Sequence, residues 1–146
     1  DISWPEKYSG PYAERRRASG HALYESLGID RTDHTRRFEQ ALENLKFFGA
    51  PHVAIVTSPH ELGPYGLLDC GGFISTFQYV AHARGVSSIA QAAPTMYSGV
   101  IRELLSIEPD RDIVCAIAFG YADESHLANQ FRTQRELPEN VIRWQG

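Results

Sequence analysis

The sequence predicts a mixed fold of the α+β or α/β class, a three-layer arrangement of helices around a small sheet. Three observations lead there. Two short β-branched or apolar runs, 52–57 and 113–119, are separated by stretches with helical periodicity. Between them lies a long, proline-free apolar stretch, 67–84, that suits a central helix. The whole chain has 146 residues, 42% hydrophobic and 22% charged, enough for one domain with its own core and unlike a disordered composition.

Taken in order, residues 1–10 hold Trp4, Pro5 and Gly10 without a sustained period and read as a surface arm. Tyr12 to Leu27 reads as a helix, with Arg15-Arg16-Arg17 on its polar half and Gly28 as its stop. Thr32 or Asp33 can cap a second helix running to about Phe48, with Phe38, Leu42, Leu45 and Phe48 on one face. Gly49-Ala50-Pro51 breaks it, and His52 to Thr57 follows as a buried strand. Ser58 to Gly66 holds two prolines and two glycines and reads as a loop. The central helix spans Leu67 to Arg84, with Gly71 and Gly72 open to close backbone approach and Gly85 ending it. Val86 to Ala90 reads as a short strand, Tyr97 to Leu105 as a short helix and Ile113 to Phe119 as a second buried strand. Gly120 to Arg135 is mostly loop, and 137–146 an extended tail around Val141 to Trp144. So few strands leave a sheet that other segments or a partner must complete.

Charge and cysteine usage narrow the function. A net charge of −4 argues against a broad basic face for nucleic acid, and no apolar run approaches the ~18 residues of a membrane helix. Twelve Arg stand against two Lys, a bias that suits anionic ligands and equally reflects codon usage. Cys70 and Cys115 lie in apolar stretches and read as buried free thiols of a reducing, cytoplasmic compartment.

The sequence lacks His-Glu-x-x-His, Cys-x-x-Cys, Gly-x-Ser-x-Gly, Gly-x-Gly-x-x-Gly and Walker patterns, so it points to no metal ligand set and no catalytic nucleophile. Two features remain. Arg132 and Arg135 are three residues apart and can converge on one phosphate, or stand solvated and balance Asp123, Glu124 and Glu136; spacing alone favours the second. Gln91-Ala92-Ala93-Pro94 places small side chains at the exit of a strand, where a flat ring could lie against the backbone; a plain tight connection explains it as well.

The order of these pieces resembles the FMN-dependent nitroreductase family, in its nitrobenzoate-reductase-like branch. The resemblance runs through Phe47-Phe48-Gly49-Ala50-Pro51, the central helix from Gly66 to Arg84, Gln91-Ala92-Ala93, Phe119-Gly120-Tyr121-Ala122-Asp123 and Arg132-Thr133-Gln134-Arg135-Glu136. It implies an α+β, three-layer α/β/α sandwich on a mixed, mainly antiparallel sheet, with 1–146 as a single domain. It also implies a homodimer built on the central helix, with FMN at the subunit interface. Gln91, Ala92 and Ala93 match the stretch facing the isoalloxazine ring, and Arg135 and Arg132 match the positions that hold the FMN phosphate. The implied activity is ping-pong: NAD(P)H reduces FMN and leaves, then a nitroaromatic or quinone-like acceptor is reduced in the same pocket. Such an enzyme needs no protein nucleophile or metal. A non-catalytic flavin-binding or truncated module is the alternative.

Members of the family carry an N-terminal third with an Arg-x-Ser-x-Arg segment and an Asn-x-Gln-Pro-Trp-like segment. Neither stands in this sequence, whose first residue is Asp1 and whose one methionine is Met96. The expectation is that this chain alone binds FMN weakly and that a longer chain carrying those segments binds it tightly.

Overall fold

The computed structural model describes residues 1–145; Gly146, the last residue of the expected tail, lies outside them. The fold is α+β, and the chain divides into two compact units. One comprises Asp1–Pro5 and Phe38–Ala122, the other Glu6–Arg37 and Asp123–Gly146.

The first unit is built on a three-stranded sheet of β1 (His52–Pro59), β2 (Ser87–Gln91) and β3 (Arg111–Gly120), in the order β1-β3-β2. Both pairings are antiparallel. The central strand carries the core: Ile113 and Ile117 are fully buried, and Ala116 and Ala118 nearly so. Side chains alternate across a strand, so Cys115 and Ile117 share a face with Val56 and Ala54 of β1. On that face they meet Cys70, Ile74 and Phe77 of the central helix α3 (Gly63–Ala83). Burial pushes the Cys115 thiol above its ordinary range, and nearby Cys70 adds to the effect. Both thiols are free, as their apolar surroundings in the sequence suggested.

The central helix begins at Gly63, four residues ahead of its expected start, and the segment read as a loop is already ordered. Ser58 and Pro59 finish β1, His60–Leu62 form a 3-10 turn, and Pro64 stands in the first turn of α3. There its missing N–H costs nothing, because the first turn has no partner for it. Gly66 fits because its α-hydrogen faces β1; a Cβ there would stand 2.1 Å from Ser58 Oγ and 3.0 Å from Leu62 Cβ. The helix ends as read, on Gly85 at φ +72°. Gly85 N–H donates to His82 C=O and Val86 N–H to Ala81 C=O, a left-handed cap that satisfies the last carbonyls.

The second predicted helix is shorter than expected. Asp33, not Thr32, caps it, its Oδ1 accepting from Arg36 N–H at 2.9 Å. The α-helix α2 (His34–Leu42) then tightens into a 3-10 segment, Glu43–Gly49, in which Phe47 and Phe48 adopt φ of 52° and 54°. The reason is tertiary. The Asn44 carbonyl, which a continuing α-helix would offer to Phe48 N–H, accepts from Gln91 Nε2 at 3.0 Å. The expected apolar face does not form a buried stripe: Phe38, Leu42, Leu45 and Phe48 are all exposed. Beyond β2, a 3-10 turn Ala93–Tyr97 packs on β3 and leads into α4 (Ser98–Leu105). The N-terminal arm is anchored at its first residue, since Asp1 Oδ2 accepts from Arg102 Nη2 (2.6 Å) and from Ile113 N–H (2.9 Å).

The second unit holds α1 (Gly10–Ser26) and the C-terminal segment. Gly28 at φ +61° ends α1 as the sequence indicates, with Ile29 N–H reaching back to Tyr24 C=O at 2.8 Å. Three arginines of this unit lie over tyrosine rings, Arg15 on Tyr12, Arg16 on Tyr8 and Arg37 on Tyr24. The C-terminal segment is not wholly extended: Leu127–Asn129 is a 3-10 turn, and Pro138–Val141 forms one helical turn, α5, before the chain straightens at Ile142. Arg15 pairs with Glu136, and Asn140 Nδ2 donates to the same carboxylate at 2.6 Å. Among the described residues, no helix is long and apolar enough to cross a membrane.

Candidate functional site

Gln91 ends β2 opposite Ala116, on the sheet face turned away from α3. Its side chain is 4% exposed, and its amide is oriented by Asn44. Nε2 donates both to the Asn44 carbonyl and to Asn44 Oδ1, at 3.0 and 3.3 Å. Because both are acceptors, the amide nitrogen must face them, and Oε1 must point away. That oxygen is buried and, among the described residues, has no hydrogen-bond donor. A buried acceptor left unpaired costs about 1–3 kcal/mol, so it marks a position that a ligand donor or a water would complete.

Ala92 and Ala93 follow directly. Ala92 is exposed, Ala93 half-buried, and together they lead into the 3-10 turn, which buries Pro94 and Thr95. The Ala92 carbonyl accepts from Thr95 N–H (2.9 Å) and Thr95 Oγ1 (2.8 Å). The exit from β2 is thus a tied turn presenting methyl groups and backbone.

Arg132 and Arg135 belong to the other unit, in the irregular stretch 131–137, and both are exposed. Neither forms the balancing ion pairs considered from the sequence. Glu136 is engaged by Arg15 and Asn140, which hold its carboxyl below the usual range. Asp123 accepts from Ser125 N–H and Oγ, and these bonds likewise lower it. Arg132 Nη1 instead donates to the Asn129 and Phe131 carbonyls at 2.7 and 2.8 Å. Arg135 Nη1 donates to Thr133 Oγ1 and to the Thr133 and Gln134 carbonyls. Both guanidiniums are therefore held by neutral oxygens, with their positive charge uncompensated among the described residues.

Asn44 was not singled out from the sequence, and no local pattern could have done so. It lies 47 residues from Gln91 and becomes its partner only when β2 is placed beside the 3-10 segment.

The nitroreductase family model matches residues 9–121. Over 142 residues the chain is 32% identical to a 4-nitrobenzoate reductase of Pseudomonas putida, covering 97% of this chain and 63% of that one. It is 37% identical over 133 residues to a 4-nitrobenzoate reductase of Nocardioides sp. strain LMS-CY, covering 90% and 54%. The solved FMN-dependent nitroreductase NfnB from Mycobacterium smegmatis, in complex with NADPH, superimposes with a TM-score of 0.92 at 31% identity, covering 99% of this chain and 65% of that one. The chain therefore spans between about half and two thirds of the length of these relatives. With the family model matched from before α1 to the end of β3, this chain belongs to the nitroreductase family.

Proposed function

We propose that the chain is part of an FMN-dependent oxidoreductase that uses NAD(P)H to reduce nitroaromatic or quinone-like acceptors, donor and acceptor using one pocket in turn. The observation that carries this reading is the β2 exit, where the buried Gln91 Oε1 lacks a donor beside the short side chains of Ala92 and Ala93. A flat heteroaromatic ring with N–H groups fits such a surface. Arg132 and Arg135, paired with neutral oxygens only, fit a phosphate. Bound FMN supplies the hydride-accepting and hydride-donating chemistry. The chain's own residues hold it: Gln91, Ala92 and Ala93 against the ring, Arg132 and Arg135 on the phosphate. The solved NfnB, an FMN-dependent nitroreductase in complex with NADPH, and the two 4-nitrobenzoate reductases support the same assignment.

The homodimer belongs to the proposal as well. Helix α3 has a second apolar face besides the one on the sheet: Tyr65, Leu68 and Tyr79 are 78, 70 and 78% exposed, with Gly72 between them. Their spacing of three, four and seven residues lines one side of a helix. Outside the helix's own neighbouring residues, nothing among the described residues lies within 4 Å of a Cβ built on Gly71 or Gly72, so the close approach these glycines permit is open to a second copy. FMN would sit at that interface. Two free thiols agree with a cytoplasmic setting.

Flavin titration followed by absorbance, then anaerobic NADPH and a nitrobenzoate acceptor, tests the reading. Reversible bleaching supports the reductase. Bound flavin that NADPH leaves unbleached favours the second reading, a flavin-binding module without activity of its own. The expected affinity of this chain alone is weak, and a chain extended by the family's preceding segments binds tightly. A strongly yellow protein of 146-residue mass overturns that expectation. In the tightly binding form, Arg132→Ala with Arg135→Ala lowers FMN affinity about 10- to 100-fold, the loss of one or two charge-assisted bonds.

A further inference from the structure

The end of the sheet opposite Gln91 holds a cavity of about 360 Å³, lined by residues of the first unit alone. It lies where β1 starts and β3 ends, since His52 pairs with Phe119 and Ser87 pairs with Gly120. Gln91 pairs with Ala116, four residues before Gly120 in β3. At roughly 3.3 Å per strand residue that separates the two places by about 13 Å. The cavity is therefore distinct from the β2 exit.

Its walls are aromatic in a defined arrangement. The Phe119 ring stacks on His52 with centroids 5.4 Å apart and planes 27° apart. On another side the edge of Phe77 meets it, at 5.3 Å and 70°. Val80 and Val86 supply aliphatic walls. Gly120 closes the base of this corner, because a Cβ there would stand 2.7 Å from Pro51 Cδ, so the strand and the proline ring touch directly. The polar groups facing the space are few, and the His52 ring makes no side-chain hydrogen bond among the described residues. An apolar cavity of about 150 Å³ already holds benzene, and ligand pockets begin near 300 Å³. The space suits one aromatic ring with one polar substituent.

We propose that this cavity is a binding site for single-ring aromatic molecules carrying one hydrogen-bonding group. The ring would extend the His52–Phe119–Phe77 cluster, and the substituent would reach the His52 imidazole. Nothing in this assignment depends on the flavin reading.

Titration of the chain with phenol, followed in methyl-labelled NMR spectra and compared with cyclohexanol, tests it. The Val80 and Val86 methyl resonances should move upfield under the ring current and saturate in the millimolar range. Cyclohexanol, equal in size but without a π face, should bind about tenfold more weakly. Phe119→Leu keeps an apolar wall and should lower phenol affinity about tenfold, with the Ile113 and Ile117 methyl signals unmoved. Should that variant misfold, His52→Ala removes the other half of the stack from the strand's exposed end and should show the same loss. Equal binding of phenol and cyclohexanol, shifts that do not saturate, shifts confined to Ala92 and Ala93, or Val80 and Val86 shifts produced by raising protein concentration alone would each overturn the proposal.

Discussion

Gly66 shows how one residue without a side chain can set the contact between two elements. Its helix approaches β1 closely enough that a Cβ would meet Ser58 Oγ and Leu62 Cβ. Gly66→Ala is expected to destabilise the chain by about 1–3 kcal/mol, as overpacking does. Ser58→Ala added to it should recover part of that loss, because it removes the nearest atom and leaves Leu62 Cβ at 3.0 Å. Urea unfolding of the single and double variants measures both. In the sequence the same glycine sits beside Pro64 and reads as a loop breaker; its packing role depends on a strand eight residues upstream. Gly28 and Gly85 were legible because their role is local: each turns the chain to positive φ at a helix end. Arg132 and Arg135, the arginines proposed for a phosphate, are in between. Their spacing was visible, but their lack of acidic partners depends on Arg15 and Ser125 having engaged Glu136 and Asp123.

At the level of elements, the end of α2 is decided by a long-range bond. Gln91→Leu keeps the side chain's bulk but leaves the Asn44 carbonyl without its donor. The newly unpaired carbonyl costs about 1–3 kcal/mol, and loss of the buried, unpaired Oε1 offsets part of it, so the expected net destabilisation is about 1 kcal/mol or less. Its structural signature is a change in the backbone resonances of Glu43–Gly49, read by NMR alongside thermal unfolding. A mutation acting only through packing would leave that segment unchanged. The short helix α5 gives a pH prediction. Asn140 and Arg15 hold the Glu136 carboxyl below its ordinary value of 4.5 in the folded chain. A depressed folded value means that the contact contributes fully above about pH 4.5 and is lost as pH falls through the lowered value. Amide protection at Glu139–Val141 and the shifts of Pro138–Val141 should thus be unchanged between neutral pH and about pH 4.5, and fraying should appear only as pH falls through the lowered value. Fraying already present at pH 6 would contradict the assignment. Element types were largely readable in advance, since hydrophobic periodicity is local. The boundaries around 58–66 were not, because prolines and glycines serve first turns and close contacts as readily as loops.

For the whole molecule, the outer face of α3 argues for assembly. Single exposed hydrophobes are ordinary, but a helix-long row of Tyr65, Leu68 and Tyr79 is a patch that water disfavours. Leu68→Glu combined with Tyr79→Glu is expected to convert a dimer to a monomer in sedimentation velocity, with the far-UV spectrum preserved. A wild-type chain that sediments as a monomer at high micromolar concentration would count against the proposed interface. The sequence by itself determined the element types, the two helix-ending glycines, the buried thiols and the membership of a family, because each rests on local pattern or on the order of motifs along the chain. Only the tertiary structure decided where α2 stops, that the loop before α3 is ordered, that the Gln91 amide is turned by Asn44, and that an aromatic corner forms at the far end of the sheet. The Asn44–Gln91 and His52–Phe119 contacts join residues 47 and 67 positions apart, and the energy of such a contact exists only once the strands between them are paired.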